Sequence, residues 1–152
     1  RYYLARHIHP FEDSDFTEES FREAYNAHLA NGLGNLVARI MKLAETHLEE
    51  PIKISKPAPP RYAKALEAYE FNLAMDMIWA EIADLDKQIA LDQPFVIVRE
   101  NSEQGKALIS KFVQKLYWIG EMLQPFMPAT SELIKEVIKS NKMPRSLFPR
   151  LD

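Results

Sequence analysis

The stretch that decides the fold runs from residue 17 to residue 50 and reads TEESFREAYNAHLANGLGNLVARIMKLAETHLEE. Phe21, Tyr25, Leu29, Leu33, Leu36, Ile40, Leu43 and His47 recur in it at steps of three and four. That recurrence marks an amphipathic helix with one face turned to a core. Thr17 is the expected N-cap, and Glu18 and Glu19 suit the positive end of the helix dipole. Pro51 stops the helix. The pattern therefore predicts one continuous helix over residues 17–50.

Asn31, Asn35 and Arg39 lie four apart in this helix and stack along one side. At about 100° per residue, that side borders the apolar stripe, at the edge of whatever the helix packs against. Two amides and a guanidinium in a row offer directional donors and acceptors to a polar, planar partner such as a nucleobase. The same spacing also suits an ordinary solvated flank, and geometry alone leaves both readings open. Asn is a mediocre helix residue, and Gly32 and Gly34 each cost about 1 kcal/mol relative to Ala. Glycines here predict close backbone approach by another helix or by a ligand.

Working outward, the chain has 152 residues, 47% hydrophobic and 27% charged, as expected of one globular domain over residues 1–152. A net charge of -3 excludes bulk attraction for polyanions, so nucleic acid would have to meet a local patch. With no Cys there is neither a disulfide framework nor a thiolate metal site. No apolar run reaches the ~18 residues of a membrane span. The chain opens on Arg1 and runs straight into an apolar segment, which reads as a piece of a longer polypeptide.

In chain order, residues 2–7 read as the end of a helix, broken at His9-Pro10 and followed by an acidic loop over 11–16. Pro57, Pro59 and Pro60 exclude regular structure until Arg61. A second helix is expected over 61–91, with Ala65, Tyr69, Leu73, Met77, Trp79, Ile82, Leu85 and Ile89 as its apolar positions. Gln93-Pro94-Phe95 interrupts it, and a short apolar stretch follows at 95–98. Ser102 is the expected cap of a third helix over 103–124, with Leu108, Phe112, Leu116, Ile119 and Leu123 as its stripe. Pro125 and Pro128 bracket a turn before a fourth helix at 130–140, and 146–152 is an extended tail. No segment alternates with period two. The fold class is all-α, an antiparallel bundle of three long helices and a shorter one.

No catalytic constellation emerges. His7 and His9 lack a third ligand and read as surface histidines, and no Glu-x-x-His pair supports a metal bundle. The glycines at 32 and 34 lack the Lys-Ser/Thr of a phosphate loop. Trp79 and Trp118 fall on apolar stripes and read as core. Neither catalytic residues nor metal ligands are assigned.

Several motifs in order are nonetheless specific. Asp15-Phe16-Thr17 and the run from Asn26 through Asn31-Gly32-Leu33-Gly34-Asn35 to Arg39 closely resemble the C-terminal anticodon-binding helical domain of methionyl-tRNA synthetases. Arg1-Tyr2-Tyr3-Leu4 resembles the family's segment shortly after its KMSKS loop. Ile78-Trp79, Asp86-Lys87, Pro94-Phe95, Pro125-Phe126-Met127-Pro128 and Leu147-Phe148-Pro149-Arg150 resemble its later signatures. The resemblance implies a module that reads the CAU anticodon of tRNA(Met) in a methionine–tRNA ligase. Its parent would use ATP and Mg2+ in a catalytic Rossmann domain absent here, and would work in the cytoplasm. The family's anticodon-reading residues fall on Asn31, Asn35, Arg39, Pro94 and Phe95. Phe95 stands where the family usually has Trp, which implies a smaller stacking face. Asp86 stands where the family often has Asn, a carboxylate unhelpful to RNA unless it is paired. Arg39, Lys42, Arg99, Lys106, Lys111 and Lys115 are candidates to flank the site and meet phosphates. The alternatives are the like domain of a sibling class I synthetase, or a helical protein-interaction domain without RNA binding.

Overall fold

The computed structural model describes residues 1–8, 13, 15–54, 60–143 and 145–152. Its ordered elements are helical, and the described residues contain no strand. The break at His9-Pro10 and most of the acidic loop lie outside the described residues.

A helical rod runs from Glu18 to His47, but not as one regular α-helix. Helix α2 (Glu18–Ala24) passes into a π-helical segment (Tyr25–Gly34) and then into α3 (Asn35–His47). Thr17 caps it as expected, its Oγ1 accepting from the Ser20 N–H at 3.1 Å. The stripe also holds: Leu29, Leu33, Leu36 and Ile40 are buried, and Phe21, Tyr25 and Leu43 pack against the core. The rod ends at His47, three residues short of the expected end, where Leu48 turns extended. The glycines serve the widened segment itself. A Cβ at Gly32 would lie 3.2 Å from the Ala27 carbonyl oxygen, and one at Gly34 would lie 3.0 Å from that of Leu29. Each of these carbonyls is five residues back, on the preceding π turn. The outside partner at Gly34 is the Phe148 ring of the C-terminal tail, not another helix.

The second expected helix is two. Helix α4 (Pro60–Glu67) ends at a left-handed Tyr69, φ 60°, and α5 (Phe71–Asp92) starts afresh. The Glu70 N–H donates to Ala65 O and the Tyr69 N–H to Leu66 O, the paired closure of a Schellman turn. This break resets the helical phase. Tyr69 and Leu73 are therefore exposed, while Ala74, Met75 and Ile78 take the inward positions. Residues 95–98, expected as a short apolar stretch, lie within a helix, α6 (Pro94–Glu100). Asn101, not Ser102, caps α7 (Ser102–Leu123), its Oδ1 accepting from the Gln104 N–H at 3.1 Å. Helix α8 (Pro128–Ser140) follows the proline turn.

Helix α7 is central: α3, α5, α6 and α8 all pack on it, through Ile109, Phe112, Val113, Leu116, Ile119 and Leu123. Tyr62 of α4 donates its hydroxyl to the Met122 carbonyl, and burial pushes that phenol up to about 12. At the far end of α3, Asn141 follows α8 in the left-handed region and donates to Leu48 O at 2.9 Å. The first helix, α1 (Tyr2–His7), lies on α5, where Asn72 donates to the carbonyls of Arg6 and Ile8. Asn26 clamps the tail by exchanging two 2.9 Å hydrogen bonds with the Leu151 backbone.

Candidate nucleic-acid interface

The rod and α5 enclose a cleft of about 250 Å³. The rod contributes Ala27, His28, Asn31, Gly32, Asn35 and Arg39, and α5 contributes Trp79, Ile82, Ala83 and Asp86. Its apolar wall is Trp79 and Ile82, both buried. Its polar rim is a ladder at four-residue steps along the rod. Asn31 and Asn35 are exposed, and neither side chain makes a hydrogen bond among the described residues. They also border a second hollow, of about 650 Å³, whose far side is Met143 and Ser146 of the tail. The two amides thus stand on a ridge between two concavities.

Arg39 closes one end. Its Nη1 donates to Asp86 Oδ1 at 2.5 Å, joining α3 to α5 across the cleft. Both side chains keep substantial solvent contact, so the pair contributes about 0–1 kcal/mol to stability. Asp86 was expected to be unhelpful to RNA unless paired; it is paired, and its partner is itself a candidate reading residue.

The cleft does not include every expected residue. Pro94 and Phe95 begin α6, beyond the end of α5, and neither lines it. Gln93, at φ 43°, turns the chain between the two helices. Pro94 is buried at the first helical position, where its missing N–H goes unneeded. Phe95 is 49% exposed, which leaves a ring face open for stacking. Asp92, at the end of α5, is about 9 Å along the axis from Asp86, so the stacking face is set apart from the amide ladder.

Sequence reasoning missed His28 and Trp79 as part of this site. Trp79 was expected as plain core, yet one face of it meets the cleft and Arg6 covers its ring at 4.9 Å. His28 precedes Asn31 by three residues, so the ladder's own spacing was the available signal. Behind the cleft, the Tyr2 hydroxyl meets His28 Nδ1, lies 3.1 Å from His7 Nε2 and accepts from Arg6 Nη1 at 3.3 Å. The rings of His7 and His28 stack, with centroids 5.8 Å apart. Burial, and then the Arg6 charge, hold both imidazoles below their ordinary value. His7 is exposed, as expected of a surface histidine, but its ring also joins an aromatic cluster, while His9 lies outside the described residues. Among the described residues no group of three or more acidic, His or Cys side chains is placed to hold a metal ion, and no helix is long and apolar enough to cross a membrane.

The lysines expected to flank the site are partly engaged elsewhere. Lys106 pairs with Glu49 at 3.1 Å, and Lys115 with Asp84 at 3.4 Å and Gln88 at 2.8 Å. Lys111 and Lys115 line another cavity, with Lys53 and Trp118.

Comparison with known proteins gives this geometry a context. A family model described as "tRNA synthetases class I (M)" matches residues 1–41. The methionine–tRNA ligase of Lactococcus lactis is 29% identical over 97% of this chain, and that of Halalkalibacterium halodurans 31% over 90%. The chain spans 25% and 23% of their lengths, about a quarter of each. Among solved structures, free-state methionyl-tRNA synthetase of Mycobacterium tuberculosis superposes over 99% of this chain and 38% of its own, with a TM-score of 0.80 at 20% identity. The same enzyme bound by methionyl-adenylate gives a TM-score of 0.75 over 99% of this chain and 36% of its own, at 19% identity. The fold is that of the helical domain of these synthetases, and residues 1–41 match the class I family model. Within that class the chain is a methionyl-tRNA synthetase homologue.

Proposed function

We propose that residues 1–152 form the anticodon-reading domain of a methionine–tRNA ligase, and that the cleft takes the wobble cytosine of a CAU anticodon. The observation that carries this reading is the gathering of Asn31, Asn35 and Arg39 on the rim of one base-sized cleft with an aromatic wall. Sequence-specific RNA recognition works on splayed loop bases, stacked on aromatics and hydrogen-bonded at their edges. Asn35 and Arg39 meet the Watson–Crick edge of the cytosine. Asn31 fixes the neighbouring base, for which the second hollow offers room, or braces Asn35. Phe95 supplies a stacking face whose direction Pro94 sets.

On this reading the partners are tRNA(Met) and a catalytic domain of the same chain, at work in the cytoplasm. ATP and Mg2+ belong to that catalytic domain, and these residues bind without catalysing. The test is a titration of a CAU anticodon stem-loop against the same hairpin with a changed wobble base, at two salt concentrations. Preference for CAU that survives higher salt supports base readout. Equal, salt-sensitive binding contradicts it. Tighter binding of a different anticodon would favour a sibling synthetase.

A further inference from the structure

We propose that Asp86 is a specificity residue: its carboxylate and the Arg39 guanidinium form a composite reading edge that selects cytosine over uracil at the wobble position. The proposal rests on the anticodon reading above and concerns a residue to which that reading gives no role. The ion pair sits inside the cleft, not outside it, since both residues line the same 250 Å³ space from opposite helices. Nη1 to Oδ1 is the one hydrogen bond that either side chain makes among the described residues. Asp86 Oδ2 and the remaining guanidinium N–H groups are therefore available to a base.

Their chemistry is fixed. A carboxylate only accepts and a guanidinium only donates. Side by side they present an acceptor next to a donor. The Watson–Crick edge of cytosine carries the complement: a 4-amino donor next to the N3 acceptor. Carboxylates accept from the cytosine 4-amino group in nucleic-acid recognition generally. Uracil carries the reverse pattern, with O4 as an acceptor and N3–H as a donor. It would set O4 against the carboxylate and its N–H against the guanidinium. Arg39 alone could donate to N3 and O2 of cytosine or to a single carbonyl oxygen of uracil, and Asp86 adds the acceptor that only cytosine's 4-amino group satisfies. Pairing across the cleft also orients both groups before RNA arrives, which lowers the entropy lost on binding.

The test is equilibrium binding of two hairpins that differ only in wobble C or U, to the wild-type chain, Asp86→Ala and Asp86→Asn. The wild-type preference for C is expected to fall about tenfold in Asp86→Ala, which removes the acceptor, and less in Asp86→Asn, whose amide oxygen still accepts from the 4-amino group. Melting temperatures should stay close to wild type, because the pair is exposed. Melting curves then separate lost recognition from lost fold. An unchanged C-to-U ratio in both folded variants would overturn the role of Asp86. So would an equal gain for both hairpins, which would make Asp86 a mere brake on RNA affinity. If the wild-type chain does not distinguish the hairpins, the anticodon reading itself falls and this proposal with it.

Discussion

At the residue scale, the proposed site divides into groups expected to read and groups expected to hold. Arg39 is expected to read. Arg39→Ala should lower affinity for a CAU hairpin by about 1–3 kcal/mol and relax choice at one base, measured by fluorescence titration against hairpins varied at each anticodon position. A uniform loss across all hairpins would make Arg39 a phosphate contact. Phe95 offers a ring and no base-edge hydrogen bond. Phe95→Ala should weaken every hairpin by about 1–3 kcal/mol and leave the order of preference intact. Asn31, Asn35 and Arg39 were legible in the sequence because a four-residue step survives the passage from π to α geometry. Asp86 was legible only as an anomaly. Its partner lies 47 positions away, and nothing in a linear pattern joins the two residues.

At the scale of elements, the stripes and prolines gave most helix positions, and the misses have local causes. The break at Tyr69 carries no glycine or proline, so the helical pattern runs across it. The phase slip that exposes Leu73 then follows. The π segment was visible only indirectly, through two glycines whose cost needed a reason. Helix α6 was hidden by its brevity, yet it sets where Phe95 points. It is held by Gly105 of α7, where a Cβ would come within 2.3 Å of Val98 Cα. Gly105→Ala must therefore push α6 away. We expect a loss of about 1–3 kcal/mol in chemical denaturation, the usual cost of overpacking. In the folded fraction, hairpin affinity should fall while the C-to-U ratio holds, because the cleft lies elsewhere.

At the scale of the molecule, the all-α bundle followed from periodicity, but a reading organised around residues 17–50 did not anticipate α7 as its hub. What periodicity could not give is the docking of chain ends onto the rod, by Tyr2 and His7 at one end and Phe148 and Leu151 at the other. Such contacts join residues with no shared pattern. The Tyr2–His7–His28 cluster has a consequence for pH. Both imidazoles are held below the ordinary 6.5, mainly by burial and then by Arg6. Below that value the unfolded chain binds more protons than the folded one, so their contribution is intact above about pH 6.5 and is lost as pH falls. Melting temperature should decline as pH falls below about 6.5, and His28→Gln should flatten that slope. A slope unchanged by the substitution would place the pH sensitivity elsewhere.

The most direct test of the cleft as the reading site is a nitrogen-15 NMR titration of the 152-residue chain with a CAU hairpin. The side-chain amide signals of Asn31 and Asn35 and the Nε–H signal of Arg39 should move together and saturate. They should move less, at equal hairpin concentration, when the wobble cytosine is replaced by uracil. Signals that stay fixed at these three residues, while shifts gather around Lys53, Lys111 and Trp118, would contradict the account and put the RNA on another face.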